Sequence, residues 1–291
     1  MSRQKLSLTS LLCILTACAS HLPAPESTPL SSESTPVTGT PSNMSSNTTW
    51  HITRHNQKNK YQSSSSTIIR EIQAGTPHVD TVQLETYFTI ELQQQETPTT
   101  LSGYTDSARI TRKGTRTVEV SNVQSENRFV GRITVNELIF NPATNPPDCS
   151  SLSTLALGEI RPAIITHPSS LSLNSTWADS VLATTCNRNG IPTTIKNIRT
   201  YQVLGEVSRS MARILVLKRM EIIHFIGTGS QQQHQIEIEG SGSGSSIIYM
   251  DITSGVLTEL EDFQKLETTI KTSGRVHHYT QEIRQKASLV P

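Results

Sequence analysis

The chain has 291 residues and a formal net charge of +1, with 34% hydrophobic and only 4% aromatic residues. That length fits one large domain or two small ones, and about 240 residues from Trp50 onward suffice to bury a sizeable core. The near-neutral balance gives no reason to expect nucleic acid as a partner, which needs a clustered basic face, and no block of like charges forms a polyelectrolyte tail.

In chain order, the first feature is a targeting segment. Arg3 and Lys5 precede an uncharged, Leu-rich stretch from Leu6 to Ala17. At about 1.5 Å rise per residue this stretch is too short to span a roughly 30 Å hydrocarbon layer, so it reads as a signal-peptide core. It ends in Leu15-Thr16-Ala17-Cys18, which resembles the lipobox of bacterial lipoproteins. The resemblance implies a diacylglyceryl group on Cys18, a partner membrane held through that anchor, and, because Ala19 and not Asp follows, an outer-membrane destination. Ala17-Cys18-Ala19 also fits ordinary small-x-small cleavage, which would release a soluble protein starting at Ser20. From Ser20 to Thr49, five of thirty residues are Pro and fourteen are Ser or Thr. Such a stretch buries too little apolar surface to offset its ordering entropy, so a flexible tether with a root-mean-square span of roughly 30 Å is expected. The expected organisation is a signal peptide over 1–17, a lipidated Cys and tether over 18–49, and a β-rich domain over 50–291.

Beyond Trp50 the dominant period is two. In Thr81–Leu92 the apolar set Val82, Leu84, Phe88, Ile90 and Leu92 shares one face, as in a strand with one side buried. Further strands are expected at Leu101–Arg112, Phe129–Phe140, Arg199–Val207, Met211–Ile226, His234–Glu239, Ser246–Ile252, Val256–Lys271 and Val276–Lys286. Turns are expected at Gly227-Thr228-Gly229, Gly240 to Gly244, Thr253-Ser254-Gly255 and Thr272-Ser273-Gly274. Ser150–Ile160 is the one helix candidate. The fold class is all-β and mainly antiparallel, a long-stranded meander curling into a barrel, half-barrel or sandwich, with about 40–50% strand. Thr49-Trp50 and Thr176-Trp177 open two stretches that would be similar halves if the domain were duplicated.

Few residues suggest chemistry. Cys149 and Cys186, an even pair in an exported protein, read as a disulfide worth about 3–4 kcal/mol, the alternative being two separate buried thiols. The Gly-Ser run from Gly240 lacks the Lys of a phosphate-binding loop and the helix of a dinucleotide loop. His51 and His55 share a face but no third ligand stands nearby, and His277 and His278 point to opposite faces of a strand. His224 reads as a core or half-buried residue. Glu259, Glu261 and Asp262 read as a solvated face. No Gly-x-Ser-x-Gly elbow or His-Glu-x-x-His occurs, so the sequence nominates no catalytic residue, metal ligand or cofactor.

The stretch Leu173–Ser180, then Thr185-Cys186, Ile191-Pro192, Tyr201–Gly205 and Gly240–Gly244, is similar to uncharacterised exported bacterial proteins of strand-rich type. That resemblance implies export and a β fold and adds no site. More distantly, long antiparallel strands in a lipid-anchored protein resemble the half-barrel carriers of lipids and lipoproteins. The expected role is a membrane-anchored envelope lipoprotein acting as a binding or structural adaptor for an unknown envelope protein. The alternative is a carrier or sensor of a lipid-like apolar ligand, for which Ile214–Leu217 and Ile222–Ile226, apolar on both faces, would be covered on both sides.

Overall fold

Alternation of inward apolar and outward polar residues runs through long stretches of the chain, and each becomes a strand. The computed structural model describes residues 48–52, 55–72, 78–93, 99–112, 115–121, 129–134, 136–141, 160–186, 191–209, 212–231 and 234–290. In order, the strands are β1 (Thr49–His51), β2 (Gln57–Ile72), β3 (His78–Gln93), β4 (Thr99–Arg112), β5 (Thr115–Ser121), β6 (Phe129–Ile133), β7 (Glu137–Asn141), β8 (Ser170–Ser172), β9 (Thr176–Cys186), β10 (Pro192–Arg209), β11 (Ala212–Gln231), β12 (His234–Asp251), β13 (Leu257–Thr272) and β14 (Arg275–Leu289). More than half of the chain is strand, above the sequence expectation. Among the described residues the only helical element with bounds is a 3-10 turn at Arg161–Ala163. The helix candidate Ser150–Ile160 lies, except for Ile160, outside the described residues.

The sheet order is β3-β2-β14-β13-β12-β11-β10-β9-β7-β6-β4, and β4 pairs again with β3. Eleven strands therefore close into a barrel, with β5 hydrogen-bonded to β4 beside β6. A ring whose neighbours all alternate in direction must contain an even number of strands. Eleven strands force a parallel contact, and it falls between β7 and β9, where Leu138 pairs with Val181 and Phe140 with Ala183. Parallel neighbours need a connection that returns from one end of the sheet to the other. Here the returning chain includes Ile160–His167, every residue of which is buried. It then forms β8, which pairs with β1 in a small two-stranded sheet.

One core unites these parts. Tyr61, Phe88, Leu101, Phe129, Leu138, Val181, Tyr201, Leu217, Ile248, Leu260 and Ala287 come from all eleven barrel strands, and they pack with Trp50, Leu171, Ile160 and Ile164. The wall is uneven. β11 has 20 residues and β6 only 5, about 65 Å against about 17 Å at the usual strand rise. The extended wall carries a second cluster of Ile191, Ile236 and Ile238, with Phe225 and Ile270 against it.

Several sequence expectations are corrected. Phe129–Phe140 is two strands, β6 and β7, joined by a turn in which Thr134 N donates to Glu137 O at 2.9 Å. Gly227–Gly229 and Gly240–Gly244 are strand interior and not turns. Gly240, Gly242 and Gly244 point inward while Ser241, Ser243 and Ser245 point outward. A Cβ at the three glycines would collide with Phe225, with Leu266 and the Lys265 carbonyl, and with Glu221. The glycines thus give up side chains so that large neighbours can lie across them. β2 and β9 were not expected as strands. In β2 the small residues Ser63 and Ser65 are buried, and Gln285 Nε2 donates to Ser63 Oγ at 3.0 Å.

The two expected turns that do form show why. Thr272 and Arg275 pair across Ser273 and Gly274, both with positive φ (47° and 78°), the geometry of a tight two-residue hairpin. At the other, Gly255 has φ 67° and Asp251 Oδ1 accepts from Ser254 N at 2.7 Å. The meander expected from Met211 to Lys286 forms as β11 to β14.

The inward glycines give a direct expectation. Gly242→Ala should destabilise the barrel by about 1–3 kcal/mol, since backbone must shift to admit the methyl group. Ser243→Ala, one residue along and facing water, should change stability by less than about 0.5 kcal/mol. Urea denaturation of both variants measures the difference; equal stabilities would mean that the glycines are not spacers.

Candidate functional site

The returning segment determines what the barrel interior contains. It is not paired as a sheet strand, so its backbone carbonyls must find other donors. The segment opens with the 3-10 turn and continues extended from Ile164, and the carbonyls of Pro162, Ile164 and Thr166 meet inward side chains of three adjacent strands. Arg219 Nη1 on β11 donates to Pro162 O at 2.8 Å, Arg199 Nη1 on β10 to Ile164 O at 3.0 Å, and Trp177 Nε1 on β9 to Thr166 O at 2.9 Å.

Arg199 and Arg219 are also neutralised. Arg199 holds Asp179 by two bonds, Nε to Oδ1 at 2.7 Å and Nη2 to Oδ2 at 2.5 Å, while Thr166 and Tyr201 donate to the same carboxylate. Arg219 Nη2 donates to Asp262 Oδ1 at 3.0 Å, and Ser246 and Gln264 complete that carboxylate. Asn197 Nδ2 donates to Glu221 Oε2 at 2.6 Å. Burial pushes the Glu221 carboxyl upward, but the opposing charges of Arg219 and Arg161 outweigh it and leave its pKa below the usual value. Burial lowers Arg161 from its ordinary value and raises the Tyr201 hydroxyl above its own. Tyr201 stacks on Trp177, ring centroids 4.8 Å apart. The guanidinium fork matters, because it serves a carboxylate and a carbonyl at once and a lysine would not. With its acids neutralised by arginines and its carbonyls bonded, this network fastens the segment to the wall.

The chain enters the barrel beside β10. Trp50 Nε1 donates to Glu206 Oε2 at 2.7 Å, and Arg213 grips Glu206 by Nε and Nη2 at 2.6 and 2.8 Å. The Arg213 bond holds the Glu206 carboxyl below its ordinary value, against the opposing effect of burial and with help from Trp50.

The outer surface is a different environment. β13 presents Glu259, Glu261, Phe263, Lys265, Glu267, Thr269 and Lys271 outward in succession. A membrane-spanning barrel needs an outward apolar band about 25 Å tall, and an outward Lys or Arg at mid-bilayer costs about 2–4 kcal/mol. This wall is built to face water. Across β11 to β14, β2 and β3 the outer face forms a groove of about 820 Å3. Two cross-strand rows floor it: Ser245, Phe263, Arg284, Ser66 and Gln83, then Ile247, Glu261, Lys286, Ser64 and Glu85. Lys286 bridges Glu259 and Glu261, each at 3.0 Å, and Arg284 lies 5.6 Å from the centre of the Phe263 ring. Hydroxyls, fixed charges of both signs and one aromatic face suit an extended polar ligand or a protein segment. They arrange no nucleophile with a base.

Residues singled out in the sequence scatter over the molecule. Cys18 and Cys149 lie outside the described residues, and Cys186 is the last residue of β9. His51 and His55 are exposed, and among the described residues no group of three metal-binding side chains forms. His277 points inward, 2.9 Å from Glu71 Oε1, and His278 outward, 3.1 Å from Thr269 Oγ1, as the alternation required. His224 is exposed on the outer face of β11 and not a core residue. Glu259 and Glu261 face outward as expected, but Asp262 faces the core and is the partner of Arg219. Ile214, Leu215 and Leu217 are buried and Val216 is half-buried, whereas Ile222 and Ile226 are 54% and 64% exposed. The sequence reading missed Arg161, Arg199, Arg219, Asp179 and Glu221. The available signal was parity: Arg199 shares its face with Tyr201 and Val203, and Arg219 with Leu215 and Leu217.

No protein-family model matches the chain, and no curated protein matches it. Among solved structures, it is similar to OccK2 (OpdF) of Pseudomonas aeruginosa at 6% identity, with 84% of this chain and all of that chain covered and a TM-score of 0.27. An outer membrane channel from Pseudomonas putida F1 gives 7% identity, 83% and 98% coverage and a TM-score of 0.25. The translocator domain of the autotransporter NalP from Neisseria meningitidis gives 8%, 81% and 89%, and 0.20. Likeness at this level carries no argument about the present chain, whose barrel is read from its own strand pairing. Among the described residues no helix is long and apolar enough to cross a membrane.

Two outcomes follow from the interior and from the Glu206 clamp. Arg199→Met should cost about 3–5 kcal/mol, because it leaves Asp179 charged and buried without its partner. Adding Asp179→Leu should recover part of the loss but not all, since Ile164 O still lacks its donor. Chemical denaturation of single and double variants reads both. For Glu206 the folded carboxyl is held below its ordinary value of 4.5. Its contribution is therefore full above that pH and is lost as pH falls through the depressed value. The melting temperature of Glu206→Gln should lie below wild type at neutral pH, and the gap should close on acidification below 4.5.

Proposed function

We propose that this chain is a lipid-anchored protein of the bacterial envelope that acts as an adaptor, presenting the outer face of its barrel to a protein partner. The observation that carries this reading is the filled lumen. Ile160–His167 and the arginine network occupy the space that a carrier of apolar ligands would keep open, so the surface left for binding is the outside. The groove across β11 to β14, β2 and β3 is broad, open and mixed in charge, as contact surfaces for polar protein segments are. The anchor rests on Leu15-Thr16-Ala17-Cys18, the outer-membrane destination on Ala19, and a Cys149–Cys186 disulfide on the oxidising compartment that export implies.

Three measurements test the parts separately. Globomycin, or Cys18→Ser, should leave unprocessed precursor and abolish acyl labelling; normal processing to Ser20 in the variant rejects the anchor. Intact mass after alkylation without reductant should show Cys149 and Cys186 protected; two freely alkylated thiols reject the bridge. Photo-cross-linking in cells from Ser66 and Ser245 should capture one specific envelope protein, and Arg284→Glu with Lys286→Glu should weaken that capture at least about tenfold, as for a contact surface with one or more hot spots. A stoichiometric lipid retained by the barrel in native mass spectrometry, with no cross-linked partner, would reject the adaptor and favour a carrier.

A further inference from the structure

The outer faces of β9, β10 and β11 differ from the rest of the barrel. Thr176 to Thr184 on β9, Thr194 to Leu204 on β10 and Val216 to Thr228 on β11 supply the outward positions, and none of these is Asp or Glu. The ionisable groups there are Lys196, Lys218 and His224. Six large apolar side chains stand out of the same surface: Leu182 at 43% exposure, Ile198 at 45%, Leu204 at 41%, Met220 at 48%, Ile222 at 54% and Ile226 at 64%. Strand register gathers them. Ile198 pairs with Ile222, Lys196 lies between Leu182 and His224, and Thr200 is beside Met220. Ser241, Ser243 and Ser245 of β12 continue the surface without bulk, and the first acid on that side is Glu239, opposite Ile226. The neighbouring wall, by contrast, alternates Glu and Lys along β13.

We infer that this acid-free aliphatic face is a membrane-docking surface that rests on an anionic lipid bilayer. Isolated exposed aliphatics are ordinary, but a contiguous patch on a soluble surface marks an interaction site. Apolar side chains flanked by lysines match the interfacial pattern, in which the aliphatics enter the acyl boundary and the lysines meet headgroup charge. A second copy fits less well. A two-fold contact would set the same patch against itself and bring Lys196 and Lys218 towards their own copies. The inference takes from the proposed anchor only the nearness of a bilayer; acyl labelling tests the anchor, and the following experiment needs no acyl group.

The chain from Ser20 onward keeps every core residue and lacks both the signal segment and Cys18. Its binding is measured by co-sedimentation with vesicles of phosphatidylethanolamine and phosphatidylglycerol, and with vesicles of phosphatidylcholine alone. Wild type should bind the anionic vesicles in preference to the neutral ones. Ile222→Glu with Ile226→Glu should reduce that binding at least about tenfold, as should Lys196→Glu with Lys218→Glu, while Lys58→Glu on β2, across the ring, leaves it unchanged. Far-UV circular dichroism checks folding; if the double Glu variant does not fold, Ile222→Ser with Ile226→Ser replaces it, with the same direction expected. No binding by wild type, or equal binding by wild type and the patch variants, overturns the inference. So does a wild-type dimer in light scattering that the patch variant abolishes without any vesicle binding, which would make the face a contact between copies.

Discussion

A closed ring of eleven strands cannot alternate direction all the way round, and the rest of this molecule follows from how that mismatch is resolved. β7 and β9 run parallel for four residue pairs. The chain leaving β7 must regain the opposite end before β9 begins, and Ile160–His167 does so through the lumen. A segment placed there meets no sheet edge. Its polar backbone would be stranded in an apolar interior, where an unpaired amide costs far more than a paired one contributes. Inward arginines on β10 and β11 and the indole of Trp177 answer that demand, and the arginines in turn require Asp179 and Asp262. The buried charges are thus a consequence of topology, and they define the path of the segment as well as its depth.

The same resolution separates the two faces of the wall. Along Ile160–His167 the inner positions serve packing and fastening. The outward positions take no part in that network. These divide into a mixed-charge groove over β11 to β14, β2 and β3 and an acid-free aliphatic region over β9 to β11. Breaking one partner of an inner ion pair is a stability event, whereas exchanging a charge in the groove alters recognition with little effect on the fold, because exposed ion pairs contribute at most about 1 kcal/mol each.

Much of the wall was legible in the sequence because alternation is local. Val82, Leu84, Phe88 and Ile90 declare β3 without reference to any other strand, and Ser273-Gly274 declares the last hairpin. What escaped depends on neighbours distant in sequence. Gly240, Gly242 and Gly244 look like a loop until Phe225, Leu266 and Glu221 are seen lying across them. Ser63 and Ser65 carry no apolar alternation, and their burial follows only when Gln285 and its strand arrive from far along the chain. Asp262 looked solvated beside Glu259 and Glu261, although its parity with Leu260 already pointed inward. The site was less legible than the fold. The lumen segment has neither period nor helical pattern, and its only trace was arginine at apolar parity in β10 and β11.

The seam between β2 and β14 joins residues far apart along the chain, such as Tyr279 and Glu71, 208 positions apart. It runs from His278 opposite Ile72 to Leu289 opposite Tyr61, and Val290 N closes it on Lys60 O at 2.8 Å. Contacts of such long range form late, since the intervening chain must be gathered first. Until β14 settles, the half-built wall is an open ribbon with β2 and β13 as bare edges, each able to take a strand from another molecule. β14 is therefore what makes the wall finite: with it in place the ring closes on itself, and without it the same hydrogen-bonding pattern can continue from copy to copy.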